Sequence, residues 1–225
     1  MDGISLKQKA ATFRHHFHYR NRGSLFSILI ITACITTGMA IAEMPPRIIL
    51  FGLIIGALVI AYQLFIFFLT GKNSLLLSKE ISIAIIYTTG IWGGPILLMQ
   101  GDWTGVQIII MLLFLLLAFS NTTLLSYFDY QNDLQSSQIS FSIQYGKKRT
   151  SALLKTLLSL SVLVCMGFLL FTQADRIDQY SFIILLMMSI LMLTMIFKPH
   201  VFQKKNYYKA LLESVFLMPA LILFV

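Results

Sequence analysis

Asp129 and Asp133 stand four residues apart where a long apolar run gives way to the polar stretch DYQNDLQSSQISFSIQYG, Asp129 to Gly146. On a helix this spacing puts both carboxylates on one face. Ionised acids at the border of hydrocarbon are costly, so such a pair calls for water or for a positive partner such as a metal ion. The same region supplies an amide, Asn132, the hydroxyls of Ser136, Ser137 and Ser140, and the basic cluster Lys147, Lys148 and Arg149. Acids and bases together suit a metal-bridged polyanion. Mg²⁺ takes one or two carboxylates and completes its shell with waters and substrate phosphates, which makes a diphosphate the natural ligand.

Each of these residues also has a plainer reading. Two acids at a helix end mark the membrane interface in many bundles, and Lys147, Lys148 and Arg149 lie where topology-setting charges belong. Lys72, alone at the end of an apolar run, either snorkels to headgroups or binds phosphate. The run Arg14-His15-His16-Phe17-His18-Tyr19-Arg20 reads as a basic interfacial segment, because consecutive histidines point in different directions on a helix and no acid or cysteine accompanies them. Cys34 and Cys165, the only cysteines, fall in apolar runs and read as small fillers.

The elements that position these residues follow from composition. Hydrophobic residues make up 57% of the 225-residue chain and charged ones 12%, with a mean hydropathy of +0.81. A soluble domain carries roughly 25% charged residues. Runs long enough to cross a bilayer are expected at Leu25–Ala42, Ile48–Leu69, Ile81–Met99, Val106–Phe128, Ser151–Thr172, Gln179–Phe197 and Tyr208–Val225. They lack the alternation of barrel strands, so the predicted fold is all-α, a polytopic transmembrane helical bundle of about seven spans. Gly90, Gly93, Gly94 and Pro95 punctuate the third run, where close helix packing is favoured over a kink that lines a substrate path.

All but two of the 17 basic residues fall in alternate connections, the exceptions being Arg47 and Arg176. The positive-inside rule then puts the N-terminus and the motif loops in the cytoplasm and the C-terminus outside. The formal charge of +8 is explained by that topology and by attraction to anionic lipid, so no nucleic-acid partner is expected. Twenty-four residues precede the first apolar run, and Thr36, Thr37 and Glu43 do not form a small-residue cleavage site, so the N-terminus is expected to remain in the mature protein. The organisation expected is one transmembrane domain over residues 1–225. It has a basic cytoplasmic N-terminal segment, 1–24, and a cytoplasmic motif loop, 129–150. The compartment expected is a plasma (inner) membrane.

The order and spacing of Asp129, Asp133, Ser140 and Gly146 resemble the second aspartate-rich motif of the UbiA superfamily of intramembrane prenyltransferases. That motif has a second aspartate four positions after the first, then a stretch containing serine or threonine, then a glycine opening the next helix. The family's tyrosine and lysine, four residues apart, are matched by Phe68 and Lys72, with the lysine kept. Asn206 through Pro219 looks like the start of the family's last helix. Asn132, Ser137 and Phe141 stand where many members have an acid, a glycine and a threonine.

The resemblance covers the chain in shortened form, without counterparts of the family's first two helices and first aspartate-rich motif; Asp2 is the candidate remnant of the latter. It implies a UbiA-like bundle in which Asp129 and Asp133 bind Mg²⁺, while Lys72, Asn132, Lys147 and Arg149 contact the diphosphate. The implied activity is transfer of a prenyl group from an isoprenoid diphosphate to an acceptor. The alternative is a noncatalytic, degenerate or truncated bundle of the same fold that binds a lipid or a partner. A small-solute transporter fits the helix count, but the sequence offers neither a buried charge relay nor an inverted repeat.

Overall fold

Backbone amides in hydrocarbon find no water, so an unbroken apolar run satisfies them internally by coiling into a helix. The computed structural model describes residues 20–69, 79–98, 103–135, 139–171, 175–203 and 207–224, and these are helical with short connections. Among the described residues, six helices are long and apolar enough to cross a membrane: α1 (Arg22–Glu43), α2 (Pro46–Leu69), α3 (Lys79–Leu98), α4 (Gly105–Phe128), α7 (Lys147–Phe171) and α8 (Arg176–Phe197). At about 1.5 Å per residue, 20 to 25 residues reach roughly 30–38 Å, the thickness of a bilayer core or slightly more. The protein is therefore an integral membrane protein. Between α4 and α7 lie two short helices, α5 (Tyr130–Gln135) and α6 (Phe141–Tyr145). After α8 come α9 (Pro199–Gln203), α10 (Tyr207–Val215) and a 3-10 turn, Met218–Phe224.

One expectation is corrected here. The seventh apolar run is not one spanning α-helix: α10 stops at Val215 and the chain continues as a 3-10 helix from Met218. Pro219 is the cause, since it lacks the amide an α-helix needs and its ring collides with the carbonyl four residues back, at Val215. Within the expected motif loop, 129–150, the described residues include the short helices α5 and α6, and Lys147, Lys148 and Arg149 already belong to α7. The third run, by contrast, stays continuous through Gly90, Gly93, Gly94 and Pro95. Gly93 is buried, whereas a Cβ at Gly94 would meet open space and one at Gly90 only ordinary contact with Ile55.

Local chemistry sets the helix ends. Met44 is extended before Pro45, which ends α1, and Pro46 opens α2 at a position where its missing amide costs nothing. Thr104 caps α4 through a reciprocal pair: its hydroxyl accepts from the Gln107 amide at 3.3 Å, and its own amide donates to the Gln107 side chain at 3.2 Å. Gly146 joins α6 to α7 at φ 81° and ψ 146°, a backbone conformation open to glycine and strained for any other residue.

By its internal contacts the chain forms two units, residues 1–54 and 55–225. In the first, α1 has no buried residue and presents apolar side chains on every side. The second holds the core. There α4, α7 and α8 bury stripes at helical spacing, with Leu113, Leu117 and Leu124 from α4, Leu154, Leu158 and Cys165 from α7, and Phe182, Met188, Met192 and Met195 from α8. Phe168 stacks on Phe182 with centroids 4.7 Å apart, and Phe216 meets Phe114 and Tyr87 edge-on. Among these side chains one polar pair is buried, Ser161 and Ser189, 2.7 Å apart. Ser189 donates its proton to the Leu185 carbonyl, so Ser161 is the donor between the helices. Hydrogen bonds between helices in bilayers contribute about 0.6–2 kcal/mol. Ser161→Ala is expected to lower stability by about 1 kcal/mol in detergent unfolding, with the fold unchanged by circular dichroism.

Candidate functional site at one end of the bundle

The C-terminal end of α4, the N-terminal ends of α3, α7 and α10 and the C-terminal end of α8 gather at one end of the second unit. Contacts between Asp129 and Tyr208, Glu80 and Phe141, and Lys155 and Phe197 fix that arrangement. This is the end at which α4 delivers Asp129 as its C-cap, the amide bonded to the Leu125 carbonyl at 2.9 Å.

Three donors converge on one oxygen of Asp129. Its Oδ1 accepts from the Tyr208 hydroxyl at 2.6 Å and from the Asn132 amide at 3.1 Å, and pairs with the Lys209 ammonium at 3.1 Å. The tyrosine is only 2% exposed and stacks on Phe128 with centroids 4.7 Å apart, so the hydroxyl is held where the carboxylate needs it. Asp133 follows one turn later, its amide donating to the Asp129 carbonyl at 2.9 Å. Burial raises the Asp133 carboxyl from its ordinary pKa and the charge of Asp129 adds to that rise, while the nearby Ser140 hydroxyl, Lys79 and Lys209 pull it down. The charge of Asp129 is thus felt directly at Asp133.

A buried acid anchors the other side of this region. Glu80, in the first turn of α3 and 3% exposed, accepts from the Phe141 amide through Oε1 at 2.8 Å. Its backbone carbonyl accepts from Thr122 at 3.3 Å. Ser126 of α4 accepts from the Ser142 amide at 3.0 Å. Together these bonds pin the start of α6 to α3 and α4, which fixes where the chain goes after Asp133.

Of the residues singled out from sequence, Asp129, Asn132 and Asp133 come together. Lys147 turns its ammonium onto the rings of Tyr127, 4.9 Å from the centroid, and Tyr130, at 6.0 Å. Arg149 is exposed in the first turn of α7, and Lys72, Ser136, Ser137 and nearly all of the histidine-rich run lie outside the described residues. Three partners went unread in the sequence: Tyr208, Lys209 and Glu80. The first two carry no signal of a partner 79 residues away, and only the acid at the start of an apolar run marked Glu80.

The donor set sets limits on a metal. Among the described residues no group of three or more histidines, cysteines or acids gathers, so a fully protein-coordinated cage is not built here. Two carboxylates one turn apart do fit Mg²⁺, which keeps waters and phosphate oxygens in its shell. With the Asp129 Oδ1 engaged by Tyr208, Asn132 and Lys209, the oxygens suited to such an ion are the Asp129 Oδ2 and those of Asp133. Burial is the largest cause of the raised Asp133 carboxyl, with the charge of Asp129 adding to it, and a bound cation would offset both. No family model, no curated protein and no solved structure matches this chain.

Proposed function

We propose that this protein is a UbiA-like membrane prenyltransferase that holds an isoprenoid diphosphate through Mg²⁺ at Asp129 and Asp133 and passes the prenyl group to an acceptor. The observation that carries this reading is the carboxylate pair at the end of α4, positioned by Tyr208 and Asn132 and bordered by ammonium groups. Bound Mg²⁺ would neutralise the charge that develops on the departing diphosphate. Tyr208 and Lys209 hold Asp129 in one orientation, so its second oxygen is presented without conformational search. Lys79 and Lys209, whose charges reach Asp133, are the cations suited to the diphosphate oxygens; Lys72 and Arg149 are further candidates, as is Lys147 after a rotation off its tyrosines. The C–O bond breaks with its electron pair leaving on diphosphate, and the allylic carbon is captured by an acceptor that loses a proton. The apolar tail would run among the Phe, Leu, Ile and Met side chains of the helices. The reading brings with it a cytoplasm-facing site in a plasma (inner) membrane, since the basic residues cluster at this end.

A second reading is favoured by one observation. The Asp129 Oδ1 is already matched by Lys209 and Tyr208, so part of the site is neutral without a metal, as suits a bundle that binds a lipid or a partner and does no chemistry. Purified protein incubated with farnesyl diphosphate and a membrane lipid extract decides between them. Release of diphosphate in Mg²⁺ and its loss in EDTA is the expected result. Saturable Mg²⁺-dependent binding without release favours the noncatalytic role, and no binding at all removes the prenyltransferase reading.

A further inference from the structure

Close to the carboxylates, but facing elsewhere, the chain carries a second group of cations. Lys147, Lys148, Ser151, Ala152 and Lys155 of α7, with Tyr127 of α4, line an open cleft of about 560 Å³. Their spacing places Lys147, Ser151 and Lys155 in register along one face of the helix. Two of the ammonium groups are held by rings: Lys147 over Tyr127 and Lys155 over Phe197, each 4.9 Å from the centroid. No acid lines the cleft, and among the described residues none pairs with the three lysines.

This arrangement runs against the helix that bears it. Unpaired amides at a helix N-terminus disfavour cations. Lys147 and Lys148, in the first turn of α7, therefore stand in an unfavourable field in the empty protein, which an anion among the lysines would offset. The walls say which anion. Tyr127 and Phe197 end the membrane helices α4 and α8, the level at which aromatic rings meet headgroups. Tyr127 and Ala152 give the cleft an apolar side beside its lysines, and Phe197 holds the Lys155 ammonium. Basic pockets between membrane helices on the cytoplasmic side are suited to anionic lipid headgroups.

We propose that this cleft binds the phosphate of an anionic phospholipid of the phosphatidylglycerol type, its glycerol and upper acyl chain against Tyr127 and Ala152. Neither Asp129 nor Asp133 lines the cleft, and the proposal does not rest on prenyl transfer. The test uses the full-length chain in neutral detergent and native mass spectrometry of bound lipid. Phosphatidylglycerol should be retained at least tenfold over phosphatidylcholine. A variant combining Lys147→Gln, Lys148→Gln and Lys155→Gln should lose that preference at least tenfold, whereas the three lysines changed to arginine should keep it. Asp133→Asn should leave it unchanged. The preference surviving in the glutamine variant overturns the proposal. So does displacement of the lipid by inorganic phosphate at equal concentration, which would make this a free-anion site, and so does loss of the preference in Asp133→Asn, which would merge the cleft with the carboxylates.

Discussion

Asp133→Asn is expected to abolish Mg²⁺-dependent binding of a prenyl diphosphate and yet to melt no lower than the unaltered protein at pH 7. Both halves follow from the same electrostatics. A carboxyl whose pKa is raised in the folded state contributes stability below its unfolded pKa, and that contribution is lost as pH rises through the folded value. Once ionised, Asp133 therefore sits at a net cost, set by burial and by Asp129, and asparagine removes the charge that incurs it. A charge borne at such a cost fits a functional role. Asparagine retains an oxygen that can touch a cation but brings no charge, and one remaining acid is a poor anchor for Mg²⁺. The same shift predicts that Mg²⁺-dependent binding weakens on acidification sooner than an ordinary carboxylate would allow. Calorimetry at pH 5 and pH 7.5 checks this, and a pH-independent affinity would contradict it.

Glu80→Leu is expected to cost about 1–3 kcal/mol, the penalty of leaving a buried amide without an acceptor. The amide is that of Phe141, whose 2.8 Å bond to Glu80 fastens the start of α6 to α3. Glu80→Gln keeps an oxygen at the same reach and is expected to retain most of the stability. Hydrogen exchange gives the sharper reading: the Phe141 amide should exchange at least tenfold faster in the leucine variant, with amides in the middle of α7 and α8 little changed. Equal protection at Phe141 in both variants would show that the bond does not hold this region. Because α6 fixes the path after Asp133, the leucine variant should also bind prenyl diphosphate more weakly.

The spans were legible because apolar length in a bilayer leaves one backbone solution, and the boundaries of α1 to α4, α7 and α8 fall within a few residues of the apolar runs. The end of the chain was not, since hydropathy alone carries Tyr208 to Val225 as one run while the geometry of Pro219 breaks it. Which face of each helix packs was also hidden. In α4, Leu113 and Leu117 are buried and Ile108 and Leu112 exposed, although all four are equally at home in lipid. Soluble proteins reveal the buried face by polarity; a membrane helix has no need to.

The site was half legible. Asp129, Asn132 and Asp133 are neighbours in sequence, and helical geometry alone brings them together. Tyr208 and Lys209 complete the same cluster from 79 residues away, a distance that tertiary packing alone closes. Lys147 had been grouped with the acids by proximity along the chain, but α7 sets off in a direction that lays its ammonium over Tyr127 and Tyr130.

The central claim is that the two carboxylates hold a divalent ion that in turn holds an isoprenoid diphosphate. Isothermal titration of the full-length protein with a nonreactive farnesyl thiodiphosphate, in Mg²⁺ and in EDTA, tests it most directly. Saturable binding in Mg²⁺ that vanishes in EDTA, and in Asp129→Asn and Asp133→Asn, is the predicted result. Equal affinity in EDTA, or in both variants, would contradict it.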